Sequence, residues 1–85
     1  MKFNKFWVIL SKGGVSAKGD KYKVTDDGRL HILSPRNKNR RYYIKQETVR
    51  RYFTQGIPNM TPQTFRHNHS AYFHNIYIFI MQRGK

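Results

Sequence analysis

The sequence predicts a small α+β domain with a three-stranded antiparallel sheet, one short amphipathic helix and a second, C-terminal helix, or a helix followed by a strand. Three observations carry that expectation. Residues 21–33 alternate apolar and polar on either side of an Asp-Asp-Gly break, residues 45–56 place apolar side chains at three- and four-residue steps, and Thr61-Pro62 is a helix-start signal. With 85 residues there is room for one domain, 1–85, near the size at which burial alone can hold a chain together. The absence of cysteine removes both disulfides and thiolate zinc sites, so stability has to come from apolar packing, oligomerisation or a partner.

Phe6 to Leu10, "FWVIL", is continuously apolar and rich in β-forming residues, and reads as a first strand, covered on both faces or paired in a dimer. "SKGGVSAKGD", residues 11–20, reads as a loop whose Gly13-Gly14 pair could approach a phosphate backbone. In "KYKVTDDGRLHIL", Asp27-Gly28 between alternating segments is a hairpin signal. Three of the four acids lie at or beside this hairpin, which suggests that it faces away from an anionic partner. "SPRNKNRRYYIK", residues 34–45, opens with a turn dipeptide, carries a run of cations and ends in a plausible third strand, "RYYI". A basic loop joining two strands has the character of a wing.

In "KQETVRRYFTQG", Val49, Tyr52 and Phe53 fall on one helical face, Arg50 and Arg51 on the other, and Gly56 is a stop signal. From Thr61 onward two periodicities compete. Phe65, His69, Tyr72, Ile76 and Ile80 are spaced for a helix, whereas Tyr72 to Met81 also alternates as a strand would. The spacing favours a helix from residue 62 to about 70 that continues toward Gln82. Residues 46 to about 80, two helices around "GIPNM", resemble a helix-turn-helix; with the basic loop they approximate a winged helix, although here the strands precede the helices.

Seventeen Lys and Arg against four Asp and Glu give a net charge of +13 and a pI near 10.6. Self-repulsion on that scale works against a compact state, so a polyanionic partner is the natural reading. Aromatic residues make up 15% of the chain, which excludes a disordered basic tail and indicates a folded basic domain. The apolar runs are too short for a signal-peptide core or a membrane span, and no segment pairs a lysine-rich face with a long apolar one. A cytoplasmic protein without a membrane partner is expected, nucleoid-associated if bacterial or phage.

"FRHNHSAYFHN", residues 65–75, raises a different chemistry. His67-Asn68-His69 spells the name of the HNH nucleases, but those enzymes spread their signature residues over a hairpin and a helix. No acid follows Glu47 to help neutralise a cation. A zinc site of His67, His69 and His74 needs a bend, because on a helix His69 turns about 200° from His67 and on a strand His74 leaves the face that His67 and His69 share. Ser70 has no adjacent acid to complete a triad, and Asp26-Asp27 sits at a turn where aspartates are ordinary turn formers. The expectation is therefore no enzyme, no catalytic residue, no metal and no cofactor.

The function expected is double-stranded DNA binding by a small regulator or DNA-binding module in transcription. Arg36, Lys38, Arg40 and Arg41 would grip phosphates, Arg50 and Arg51 would add to the grip, and Gln63, Thr64, Arg66, His67 and Asn68 would meet base edges in the major groove. Two other uses of the same residues compete with it. Arg40-Arg41 beside Tyr42-Tyr43 suits unpaired bases in single-stranded nucleic acid or RNA, and the isoleucine-rich stretch 72–81 suits a protein-interaction module that forms a homodimer.

Overall fold

The computed structural model describes residues 1–56 and 69–83, with side chains in the last helix described over 71–82. The elements are α1 (Phe3–Lys12), β1 (Gly14–Val15), β2 (Lys21–Val24), β3 (Leu30–Ser34), a 3-10 turn (Pro35–Asn37), β4 (Arg40–Ile44), α2 (Gln46–Gln55) and α3 (His69–Arg83). The four strands form one antiparallel sheet in the order β1-β2-β3-β4. This is an α+β domain, with three α-helices among the described residues. Its Cα radius of gyration of 12.0 Å matches the roughly 12 Å of a compact chain of this length.

Two expectations are corrected. The "FWVIL" segment is helical, not a strand, because Phe3, Phe6, Trp7 and Leu10 recur at helical steps and only that spacing turns all four toward the core. Phe6 and Leu10 are fully buried, while Val8, in the middle of the apolar run, is 54% exposed. The sheet also has four strands rather than three, the addition being the two-residue β1, where Gly14 pairs with Tyr22 and Val15 with Lys21. Gly13 ends α1 with φ 75° and its N–H donates to Leu10 O at 3.0 Å. At Gly14, a Cβ would stand 2.7 Å from the Tyr22 hydroxyl. Gly13 is thus suited to the positive φ that ends the helix, and the missing side chain of Gly14 leaves room for the Tyr22 ring.

The hairpin forms where Asp-Gly predicts it. Thr25 N–H donates to Arg29 O at 2.8 Å, Gly28 N–H donates to Thr25 O at 2.9 Å, and Gly28 takes φ 83°. The Thr25 hydroxyl donates to Asp27, and Arg29 closes the turn on the same carboxylate at 2.8 Å. The Thr25 bond, ahead of the Arg29 charge, holds the Asp27 carboxyl below its ordinary range despite some desolvation. α2 follows as expected, burying Val49 and ending at Gly56, whose N–H donates to Tyr52 O at 3.1 Å.

Over 72–81 the helical spacing prevails over the strand alternation. Tyr72, Phe73, Ile76 and Ile80 are buried on one face of α3, and His74 is exposed. A strand would have sent Tyr72, Ile76 and Ile80 to one face but Phe73 to the other. The expected start of this helix at 62 lies outside the described residues. The stretch proposed for dimerisation is thereby largely used in the core of one chain; of its large apolar side chains, only Ile78 is exposed, at 37%.

All three helices lie on one face of the sheet. Tyr22, Leu30, Ile32 and Ile44 meet Phe6, Leu10, Val49, Phe73, Ile76 and Ile80 in a single core. Phe6 is its hub, with ring centroids 5.0 Å from Phe53, 5.7 Å from Tyr77 and 6.1 Å from Phe73. Burying each such ring is worth about 1.5–3 kcal/mol, plus a further contribution of about 0.5–1.5 kcal/mol from each favourable aromatic pair. Among the described residues, no helix is long and apolar enough to cross a membrane.

Candidate nucleic-acid interface

Because the helices occupy one face of the sheet, the other face is where its remaining side chains collect. Strand alternation sends Lys21 and Lys23, His31 and Leu33, and Arg41 and Tyr43 to that face, and the register lines them up in two rows. One row runs Lys23, His31, Tyr43 across β2, β3 and β4; the next runs Lys21, Leu33, Arg41, with Val15 of β1 beside Lys21. Lys21, Lys23 and Arg41 are exposed, Tyr43 is 50% exposed, and His31 and Leu33 are half-buried beneath them.

His31 and Tyr43 are stacked, with centroids 4.8 Å apart and planes 22° from parallel. The Arg29 guanidinium lies 5.2 Å from the Tyr43 ring centroid. Burial lowers the His31 pKa below its usual 6.5, and the charges of Lys23 and Arg41 lower it further, so the imidazole is neutral near pH 7. The face is therefore a ring stack with cations around it and, among the described residues, no acid within its rows.

The expected phosphate-gripping residues divide between different environments. Arg36 is held by the fully buried Asp20, with Nη2 to Oδ2 at 3.2 Å and Nε to Oδ1 at 3.5 Å. Its guanidinium also lies 5.9 Å from the Tyr72 ring. Next to it Asn37 Nδ2 donates to the Tyr72 hydroxyl at 2.6 Å, and Tyr72 stacks on Tyr42 at 5.1 Å. These contacts tie the β1–β2 turn and the β3–β4 turn to α3, and Arg36 is part of that clamp. Burial pushes the Tyr42 hydroxyl above its ordinary pKa, while Arg40 beside it works in the opposite sense.

Lys38 sits at the turn itself with φ 57°, followed by Asn39 at φ 55°. Arg40 and Arg41 point to opposite faces, Arg40 across from Ser34 on the helix side and Arg41 across from Leu33 on the open side. Arg50 and Arg51 are exposed on α2, and the Arg50 guanidinium lies 4.8 Å from the Phe3 ring, away from the sheet's open face. Gln63, Thr64, Arg66, His67 and Asn68 lie outside the described residues, as do His67 and the His69 side chain of the candidate zinc set. Among the described residues of the expected site, only Arg41 belongs to the cationic sheet face.

Lys21, Lys23, Arg29 and His31 are additions to the expected site, and Tyr43 belongs only to its single-strand alternative. The signal was available in the polar alternation of each strand, but it identifies a face only once the strands are in register. Of the acids at or beside the hairpin, Asp20 is buried against Arg36 and Asp27 is paired with Arg29 at the turn. No family model, curated protein or solved structure matches the chain.

Proposed function

We propose that this chain is a nucleic-acid-binding domain with no catalytic role. The observation that carries the reading is the uncompensated charge of its surface. Every Lys and Arg whose side chain is described is exposed, and two of the four acids are already paired with Arg29 and Arg36. A folded surface of this kind attracts a polyanion and releases its counterions on contact.

The test is a salt titration of binding to labelled oligonucleotides. With six to eight cations engaged on a duplex, log affinity should fall against log salt with a slope of about −5 to −7. A slope shallower than about −2 would reject phosphate contact as the source of affinity. In the duplex-DNA form of the proposal, the β3–β4 turn acts as a winged-helix-like wing through Lys38 and Arg40, and residues 63–68 enter the major groove. Arg66→Ala would then weaken duplex binding and relax sequence preference, while Lys38→Ala would weaken it uniformly.

A further inference from the structure

We infer that the face of the sheet opposite the described helices is a platform for single-stranded nucleic acid, on which an unpaired base stacks at Tyr43 and the adjoining phosphates meet Lys23, Lys21 and Arg41. The inference rests on the nucleic-acid reading above and names its substrate class.

Three features of the face select a single strand over a duplex. The first is the exposed ring. His31 of β3 stacks on Tyr43, the Arg29 guanidinium from the turn before β3 lies 5.2 Å from the same ring, and among the described strands β4 is at an edge of the sheet. Half of Tyr43 is left exposed at that edge, where a base could continue the stack begun by His31. In a duplex the bases are stacked on one another and offer no free π-face, so this surface has nothing to hold there except phosphate.

The second feature is shape. The six side chains spring from adjacent strands, in rows that follow the pleat of a broad sheet, and not from a protruding helix that could enter a major groove. The third is the order of groups. A cation, a half-buried neutral imidazole and an exposed phenol ring follow one another across a single row, with a second row of Lys21 and Arg41 alongside. This is the combination of stacking surface and cationic track that single-strand binders use. Charge complementarity commits the face to a nucleic-acid strand; DNA and RNA share the chemistry used, and separate arms of the test distinguish them.

The experiment measures binding of the full chain to four labelled probes: a mixed-sequence single strand of about 12 nucleotides as DNA and as RNA, the same DNA as a duplex, and an abasic strand of equal length. The single strands should bind more tightly than the duplex and the abasic strand. Tyr43→Ala should weaken single-strand binding at least about fivefold while leaving the abasic strand within about twofold, and Tyr43→Phe should restore it. Lys23→Gln should weaken all four probes, including the abasic one. The melting curve of Tyr43→Ala identifies any loss through unfolding, and in that event Tyr43→Leu, which keeps an apolar cover over His31 without an aromatic face, takes its place.

Equal affinity for the single strand and the abasic strand, or a single-strand affinity indifferent to Tyr43, would overturn the platform while leaving nucleic-acid binding standing. Failure to bind any probe at low salt would overturn both.

Discussion

At the residue scale, side chains that look alike in sequence have different work because their surroundings differ. Arg36 and Arg41 belong to one basic run, yet Arg36 neutralises a fully buried carboxylate and Arg41 faces solvent. Arg36→Ala leaves Asp20 buried without its cation and should cost about 1–3 kcal/mol of stability, toward the lower end because Arg36 itself is half exposed. Urea unfolding measures it, and the Asp20→Asn, Arg36→Ala double variant should recover part of the loss. An Arg36→Ala protein of unchanged stability but lost binding would move Arg36 into the interface. His31 predicts a pH effect. Its pKa is lowered by folding, so the unfolded chain takes up the proton first as pH falls. Stability should be fully present above pH 6.5 and decline below it, and His31→Gln should flatten the melting temperature between pH 5 and pH 7 relative to the wild type.

At the scale of elements, α1 shows why composition and periodicity have to be weighed together. "FWVIL" is a β-forming string, but Phe3, Phe6, Trp7 and Leu10 are spaced for a helix, and that spacing becomes decisive when a core of Phe53, Phe73 and Tyr77 is there to receive it. Local propensity differs by less than about 1 kcal/mol per residue, whereas burying Phe6 is worth several times that. Phe6→Ala should therefore cost about 3–5 kcal/mol, and Val8→Lys, on the exposed side of the same helix, less than about 0.5 kcal/mol, both read from chemical denaturation. A strand would place Phe6 and Val8 on the same face, so comparable losses at the two positions would contradict α1. The hairpin and α2 were legible because their signals are local: Asp-Gly sets the turn, and Val49, Tyr52 and Phe53 set the face.

At the scale of the whole molecule, the governing quantity is a charge of +13 on a chain whose folded stability is on the order of 5–10 kcal/mol. Every described Lys and Arg side chain is exposed, and compaction brings these charges closer together than the unfolded chain does. Raising sodium chloride from about 0.05 M to about 0.5 M should screen that repulsion and raise the melting temperature, by about 4–8 °C for each kcal/mol returned. A fall would mean that the ion pairs of Asp20 and Asp27 contribute more than the general repulsion removes. A nucleic-acid ligand should act in the same direction by linkage, stabilising the fold in proportion to its occupancy.

By itself the sequence determined the net charge of +13, the α+β class, the hairpin and α2, because charge is additive and turns and helical faces are set by neighbours within a few residues. It also determined which side chains alternate within each strand, and so that Lys21 travels with Lys23, His31 with Leu33 and Arg41 with Tyr43. Only the tertiary structure decided that these pairs form one surface. Cross-strand register placed His31 against Tyr43, and packing all three helices on the opposite face left that surface open. Register and layer choice follow from burying apolar area against elements distant in the chain, an energy that no local stretch contains.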